Sequence, residues 1–419
     1  MRFVHVSSEI DPLKKVIVHR PDVGISRISP KRAEQLLFDD IVHLPLMQEE
    51  HDVFTAVLEA FLGAENVLEV NQLLKEALDA KEEPREDLLK MILDFEELPS
   101  NYFQLLDDLN HEELANTLIS GYLAKKEMVL FDPVPNYIFT RDIAVTINGF
   151  VVITKAAKEA RYRENILTRF IFRSHPMFKQ LRAEDRIINL NKRDDFPPSK
   201  NGGKVSMEGG DMMIISEDYL LIGCSERTTE YSVHSLMKVL FEKGVVNNVV
   251  QINIPNDRSC MHIDTLFTQV NHNHIVAYKP IVMDGISSKV IVHRKDGSNV
   301  SYPSVKEFFT WEINPNMEFI AAGRGVSPYQ EREQWTDGCN LVALRPGIGI
   351  TYDRNPETER AFEEAGYAVV PASVLLEKFV SGELRPEEVE DTIVTIPSTE
   401  LSRARGGSHC MTCPVLRGD

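Results

Sequence analysis

The chain has 419 residues, 43% hydrophobic and 26% charged, a composition that belongs to a globular protein large enough for more than one structural module. Its 64 acidic against 46 basic residues give a net charge of -18, a surface that repels nucleic-acid phosphates and anionic lipid and draws in cations. No apolar run is long enough to span a bilayer, and five scattered cysteines make no disulfide framework. Neither nucleic acid nor membrane is therefore expected as a partner, and a reducing, cytoplasmic setting is.

The opening "MRFVHVSSEIDPLKKVIVHRP" is interrupted by charges and lacks the apolar centre of a signal peptide. Within it, a short polar motif carrying Asp11 precedes an apolar run. From about residue 68 to 128 the pattern changes. "LLKEALDAKEEPREDLLKMILDFEEL" and "HEELANTLISGYLAKKEM" place apolar residues at helical spacing, with Pro84 and Pro99 as breakers and no strand signal. The expected organisation is a body formed by residues 1–67 and 129–419, with a helical insertion at 68–128.

Beyond the insertion one layout recurs four times: a polar motif, an apolar run, turn residues and a second apolar run. The stretches are "FTRDIAVTINGFVVIT", turning at Asn148-Gly149, "MEGGDMMIISEDYLLIGC", turning near Glu217-Asp218, "MHIDTLFTQVNHNHIVAYK", turning at Asn271 to Asn273, and "DGCNLVALRPGIGITYD", turning at Pro346-Gly347. Asp142, Asp211, Asp264 and Asn340 sit at matching places before the turns, as Asp11 does in the opening. Helical patterns follow the first, second and fourth, and "YAVVPA" reads as a strand after the fourth. Repeated strand–strand–helix–strand units predict an α/β fold built as a circular array of small sheets. Polar motifs at equivalent strand ends would then converge on its centre.

The chain closes on "RARGGSHCMTCPV". Its C-x-x-C spacing admits a redox dithiol or part of a zinc site. It lies in an extended-looking stretch with no second such pair, which favours a nucleophilic Cys410 instead. Asp142, Glu208, Asp211, His262, Asp264 and Cys410 would make an odd core unless a cation joined them, because buried charge is costly unpaired. A planar guanidinium matches paired carboxylates. Taken singly, each motif also has a plain reading. Glu208-Gly209-Gly210-Asp211 could be a turn, His262-x-Asp264 a chance spacing, and Arg141-Asp142 a local ion pair.

Together "LLFDDI", "FTRD", "MEGGD", "GCSERTT", "MHIDT", "EQWTDGCN" and "GGSHCMTCP" resemble the arginine deiminase family, in the family's order from the first strand to the last residues. The resemblance implies the pentein fold, a five-bladed propeller of ββαβ units with a helical module inserted early. It implies hydrolysis of L-arginine to L-citrulline and ammonia without a metal or organic cofactor. By the same resemblance Cys410 is the nucleophile, Asp142 and Asp264 clamp the guanidinium, His262 is general acid then base, and Glu208 holds His262. Arg161, Arg227 and Asn136 would grip the amino-acid end of the substrate, with Asp211 assigned to the binding site and Arg405 to a gate. A homo-oligomer, dimer or tetramer, is expected. Amidinotransferases and arginine dihydrolases of the same superfamily remain alternatives, as does an arginine-binding sensor with no activity.

Overall fold

The computed structural model describes residues 3–418. The protein is a mixed α/β fold in which, among these residues, strands form six small separate sheets. The first predicted hairpin pairs Ala144–Ile147 with Phe150–Ile153. Asn148 turns it at φ 50°, a left-handed conformation that Asn tolerates. Helix Tyr162–Ser174 then crosses over and lays Ile187–Asn189 parallel to Phe150–Ile153.

The second hairpin, Met212–Ser216 with Tyr219–Cys224, continues through helix Glu230–Glu242 to the parallel strand Asn248–Asn253. The third pairs Phe267–Gln269 with His274–Ala277 and takes Glu318–Ala321 as its parallel partner. Between these last two strands the chain makes a further hairpin, Lys289–Arg294 and Asn299–Tyr302, which extends the second sheet.

The fourth unit departs from the sequence expectation in one place. Ala368–Pro371 is a strand, but the parallel partner of Ile348–Tyr352 is Thr392–Ile396, and Ala368–Pro371 lies outside it at the sheet edge. Every residue of Thr392–Ile396 is buried whereas Ala368–Pro371 is half exposed, so the more apolar segment takes the inner place.

The chain's two ends make the fifth sheet. Leu13–Val18 runs antiparallel to Cys413–Arg417 and parallel to Val67–Glu69, after the crossover helix Leu44–Leu62. The cysteine-bearing tail is thereby tied into the fold and almost wholly buried.

Residues 70–120 carry four helices, Val70–Ala80, Arg85–Phe95, Tyr102–Asp107 and His111–Ser120. Pro84 stands immediately before the second, and Asn110 with Glu113 forms a capping box on the fourth. Leu68 and Glu69 belong to the strand pairing with Leu13–Val18, and Tyr122–Leu123 with Met128–Val129 forms a two-stranded ribbon. The helices share one core with the first sheet unit, where Leu74, Leu89 and Leu118 pack in the same cluster as Leu167, Phe170 and Phe172. Among the described residues no helix is long and apolar enough to cross a membrane.

Candidate active site

Three short 3₁₀ turns, Thr140–Asp142, Gly209–Asp211 and Ile263–Thr265, each lead almost directly into the first strand of a hairpin. Asp142, Asp211 and Asp264 therefore occupy equivalent places. Cys410 stands just before the strand Cys413–Arg417, and Asn340 just before Val342–Arg345. These turns converge on a cavity of about 30 Å³, room for little more than a water molecule. Its wall includes Asn136, Asp142, Arg161, Glu208, Arg227, His262, Arg405 and Cys410.

His262 sits between two carboxylates. Its Nε2 lies 3.0 Å from Glu208 Oε2 and its Nδ1 3.7 Å from Asp142 Oδ1. Burial alone would strip its proton. Asp142, Glu208 and Asp211 outweigh that and carry it up to about 10, so the ring is an imidazolium at neutral pH. Glu208 is held far below the usual carboxylate range against its burial, first by His262 and then by Arg227 and Arg161. Its second oxygen, Oε1, accepts from the backbone N–H of Ala157 at 3.0 Å.

Close approach of these groups requires Gly209 and Gly210. A Cβ on Gly209 would overlap the backbone carbonyl of Arg141. One on Gly210 would stand 2.5 Å from His262 Nδ1 and 3.1 Å from Asp264 Oδ1. The two substitutions should therefore separate. Gly209→Ala meets backbone and is expected to cost about 3 kcal/mol of stability, read by denaturant unfolding. Gly210→Ala meets the tip of a reactive side chain and is expected to lower turnover about 10²-fold, the scale of a 1 Å misplacement.

Cys410 is buried, and Asn340 holds it twice: the backbone N–H of Cys410 donates to Asn340 Oδ1 at 3.1 Å, and Asn340 Nδ2 donates to Sγ at 3.2 Å. The thiol donates to Asp264 Oδ2 at 3.3 Å. Burial first, then the charges of Asp264, Asp142 and Asp337, push it well above its ordinary value. Among these groups the side chain is a neutral thiol.

Arg161 is saturated with partners. Nε donates to Glu164 Oε2 at 2.9 Å, Nη1 to Asp142 Oδ2 at 2.6 Å, and Nη2 to the carbonyl of Asn136 at 3.2 Å. Arg163, two residues on, points away instead, onto the Phe131 ring and Glu96. Arg227 Nη1 reaches Glu208 Oε2 at 3.5 Å, and its Nε has no hydrogen-bond partner among the described residues. Asn136 Nδ2 donates to the carbonyl of Leu36. Arg405 sits in a left-handed backbone conformation, with its guanidinium 3.3 Å from the centre of the Trp335 ring.

Two sequence-predicted residues are not part of the cavity wall. Asp264 touches it through Cys410. Asp211 lies behind it, where Oδ1 accepts from the backbone N–H of Ile263 at 3.0 Å and Oδ2 from Ser225 Oγ at 2.6 Å. It anchors the turn that carries His262 and Asp264. Asn340 reaches Cys410 from the matching place its motif occupies, whereas no pattern in the sequence marks Glu9, Arg141, Glu164 or His409 as part of the site. Asp142, Glu208 and His262 present donor atoms within 4.8 Å of one another, spacing that would suit a metal ion. Here two cationic groups of the chain itself, His262 and Arg161, face those carboxylates.

Comparison with known proteins places this geometry in context. A family model described as arginine deiminase matches residues 34–417. An arginine deiminase of Limosilactobacillus fermentum is 32% identical, over 99% of both chains, and one of Borrelia garinii is 29% identical, over 99% of this chain and 98% of its own. Among solved structures, the dimethylarginine dimethylaminohydrolase of Pseudomonas aeruginosa, complexed with citrulline, superposes with TM-score 0.51 at 13% identity, covering 96% of this chain and 99% of its own. The amidinotransferase SxtG from Microseira wollei gives 0.54 at 12% identity, covering 99% and 97%.

Proposed function

The chain belongs to the arginine deiminase family, and from that membership and the geometry of the cavity we propose that it hydrolyses L-arginine to L-citrulline and ammonia through a covalent intermediate on Cys410. The observation that carries the reading is one buried site holding a thiol against Asp264, an imidazolium against Glu208, and Asp142 between them. Free guanidinium is a poor electrophile because its charge is delocalised. Carboxylates on either side localise that charge on the nitrogens and turn the carbon toward sulfur.

When the cation enters, the thiolate becomes the favoured form. The thiol proton is released to solvent, and Asp264, whose Oδ2 lies 3.3 Å from the sulfur, stays an anion opposite the guanidinium. Sulfur bonds to the guanidinium carbon, His262 gives its proton to the departing nitrogen, and ammonia leaves. The neutral imidazole then takes a proton from water, whose oxygen adds to the same carbon. The carbon–sulfur bond breaks, the added hydroxyl gives up its proton as it becomes the ureido carbonyl, the sulfur takes that proton, and citrulline departs. No step calls on a metal or organic cofactor.

The cavity is too small for the substrate as it stands. Leu37 and Arg258 line both the cavity and a groove of about 1270 Å³ outside it, so the passage runs between them. Arg405, stacked beside this wall, is the gate. Arg227, with unused donors, receives the substrate's amino-acid end, and Arg161 and Asn136 join it there by exchanging their bonds to Asp142 and to the Leu36 carbonyl for the ligand. The ββαβ units are the blades of a five-bladed propeller, residues 1–67 and 129–419 its body and 68–128 an appended helical module. A cytoplasmic setting and assembly as a homo-oligomer, dimer or tetramer, complete the proposal.

Incubation with L-arginine is expected to release citrulline and ammonia in equal amounts. Ornithine with carbon dioxide would mark a dihydrolase, and a new guanidino compound an amidinotransferase. Arg227→Ala should lower kcat/KM for L-arginine about 10²-fold, the scale of a lost charge-assisted hydrogen bond. Turnover of agmatine, which has no carboxylate, should fall by a smaller factor, the share due to lost support of Glu208. An equal loss on both substrates would remove Arg227 from the carboxylate clamp.

A further inference from the structure

Behind the sulfur runs a line of buried charge that the scheme above does not use. Asp264 Oδ2 accepts from Cys410 Sγ and also from His409 Nδ1, at 2.9 Å. His409 Nε2 lies 3.2 Å from Glu9 Oε2, and Glu9 Oε1 accepts from Arg141 Nη1 at 3.4 Å. All of these side chains are buried, and His409 and Asp264 are 2% and 0% exposed. Both ring nitrogens of His409 face a carboxylate oxygen, an arrangement that a ring with a proton on each nitrogen satisfies. The signs then alternate from Arg141 through Glu9 and His409 to Asp264, and the next place in the line is the cavity where a cation binds.

His409 is the only ion-pair partner of Asp264 among the described residues. The other carboxylate oxygen, Oδ1, is buried and without a hydrogen-bond partner among them. It lies beside Gly210, on the side occupied by His262 Nδ1. Burial works against charge on Asp264, and His409 opposes this most, by its hydrogen bond and its charge, leaving the carboxyl below its ordinary value. A buried carboxylate without such a partner would take up a proton and lose its pull on a cation.

We infer that His409 is a positioning residue, which, backed by Glu9, holds the Asp264 carboxylate as an oriented anion with Oδ1 free for the substrate guanidinium. The inference rests on Asp264 being a guanidinium clamp. Glu9 is in turn balanced by Arg141 and, at longer range, by Arg417 on the last strand. The signal for this line was present in the sequence only as "SHC" and "SSEIDP", stretches 400 residues apart.

The test measures affinity for L-arginine and for L-citrulline, whose ureido group is uncharged, by calorimetry on a Cys410→Ser background that cannot turn over. His409→Gln should weaken arginine about 10-fold to 100-fold and leave citrulline within about threefold. Glu9→Gln should act in the same direction by a smaller factor. Adding His409→Gln to Asp264→Asn should cost nothing further.

Equal weakening of both ligands, no weakening of arginine, or an undiminished effect on the Asp264→Asn background would each overturn the inference. If Asp264→Asn alone leaves arginine affinity unchanged, the clamp reading itself fails. Should His409→Gln not fold, as judged by circular dichroism, Glu9→Gln makes the same comparison with the shape of the buried line preserved.

Discussion

Cys410→Ala reduces citrulline formation about 10⁶-fold, the scale on which removal of a catalytic nucleophile acts, and leaves L-arginine binding within a few fold. The reason for the separation lies in what surrounds the sulfur. Asp142, Glu208 and Asp264 remain after the substitution, and their attraction for a guanidinium does not pass through the thiol. Removing the thiol takes one donor from Asp264 Oδ2, which keeps its hydrogen bond from His409 Nδ1, and leaves Oδ1 available to the ligand as before. Citrulline and ammonia assays on purified variant and parent, with calorimetric binding of arginine, decide the matter. Turnover that survived the substitution would sink the covalent route. Equal binding with no turnover in either protein would make this an arginine sensor. Acid quenching of the parent during turnover should show a mass gain of one arginine less one ammonia on the peptide that carries Cys410.

His262→Asn is expected to cost about 10²-fold to 10⁴-fold in kcat, the range for a positioned proton donor and acceptor. The wild-type ring stays protonated through neutrality, because the negative partners around it overcome burial and carry it to about 10. The sign follows. The proton needed by the leaving nitrogen is present at neutral pH and is lost as pH rises through 10, so wild-type kcat/KM should fall on the alkaline side there. The asparagine variant should lack that limb. Protonated His262 also contributes to folding stability fully below its ordinary 6.5, and this contribution fades between there and 10. A variant that kept the alkaline limb would assign it to a group other than His262.

Local signals in the sequence carried much of this site. Asn148-Gly149 marks its hairpin because few residues accept the turn's backbone, and equivalent polar residues before successive hairpins placed Asp142, Glu208, His262 and Asp264 near one another. What stayed hidden was non-local. Nothing near Ile348–Tyr352 tells whether its parallel neighbour is Ala368–Pro371 or Thr392–Ile396, since both are short apolar runs and burial of the whole sheet decides. No clean periodicity marks helix Leu44–Leu62, the longest among the described residues, because buried Glu50 and His51 break its apolar face. Glu9 and His409 likewise look like ordinary loop residues until the two ends of the chain are brought together.

The antiparallel pairing of residues 13–18 with 413–417 has a consequence for biosynthesis. A ribosome adding 5–20 residues per second spends roughly 20–80 s between these two segments. Throughout that interval Val16 and Ile17 have one open flank, and the reactive sulfur has not yet been made. On the proposed chemistry, nascent chains stalled before Cys410 are inert toward arginine. Their unfilled edge would expose them to chaperones or to pairing with another unfinished copy.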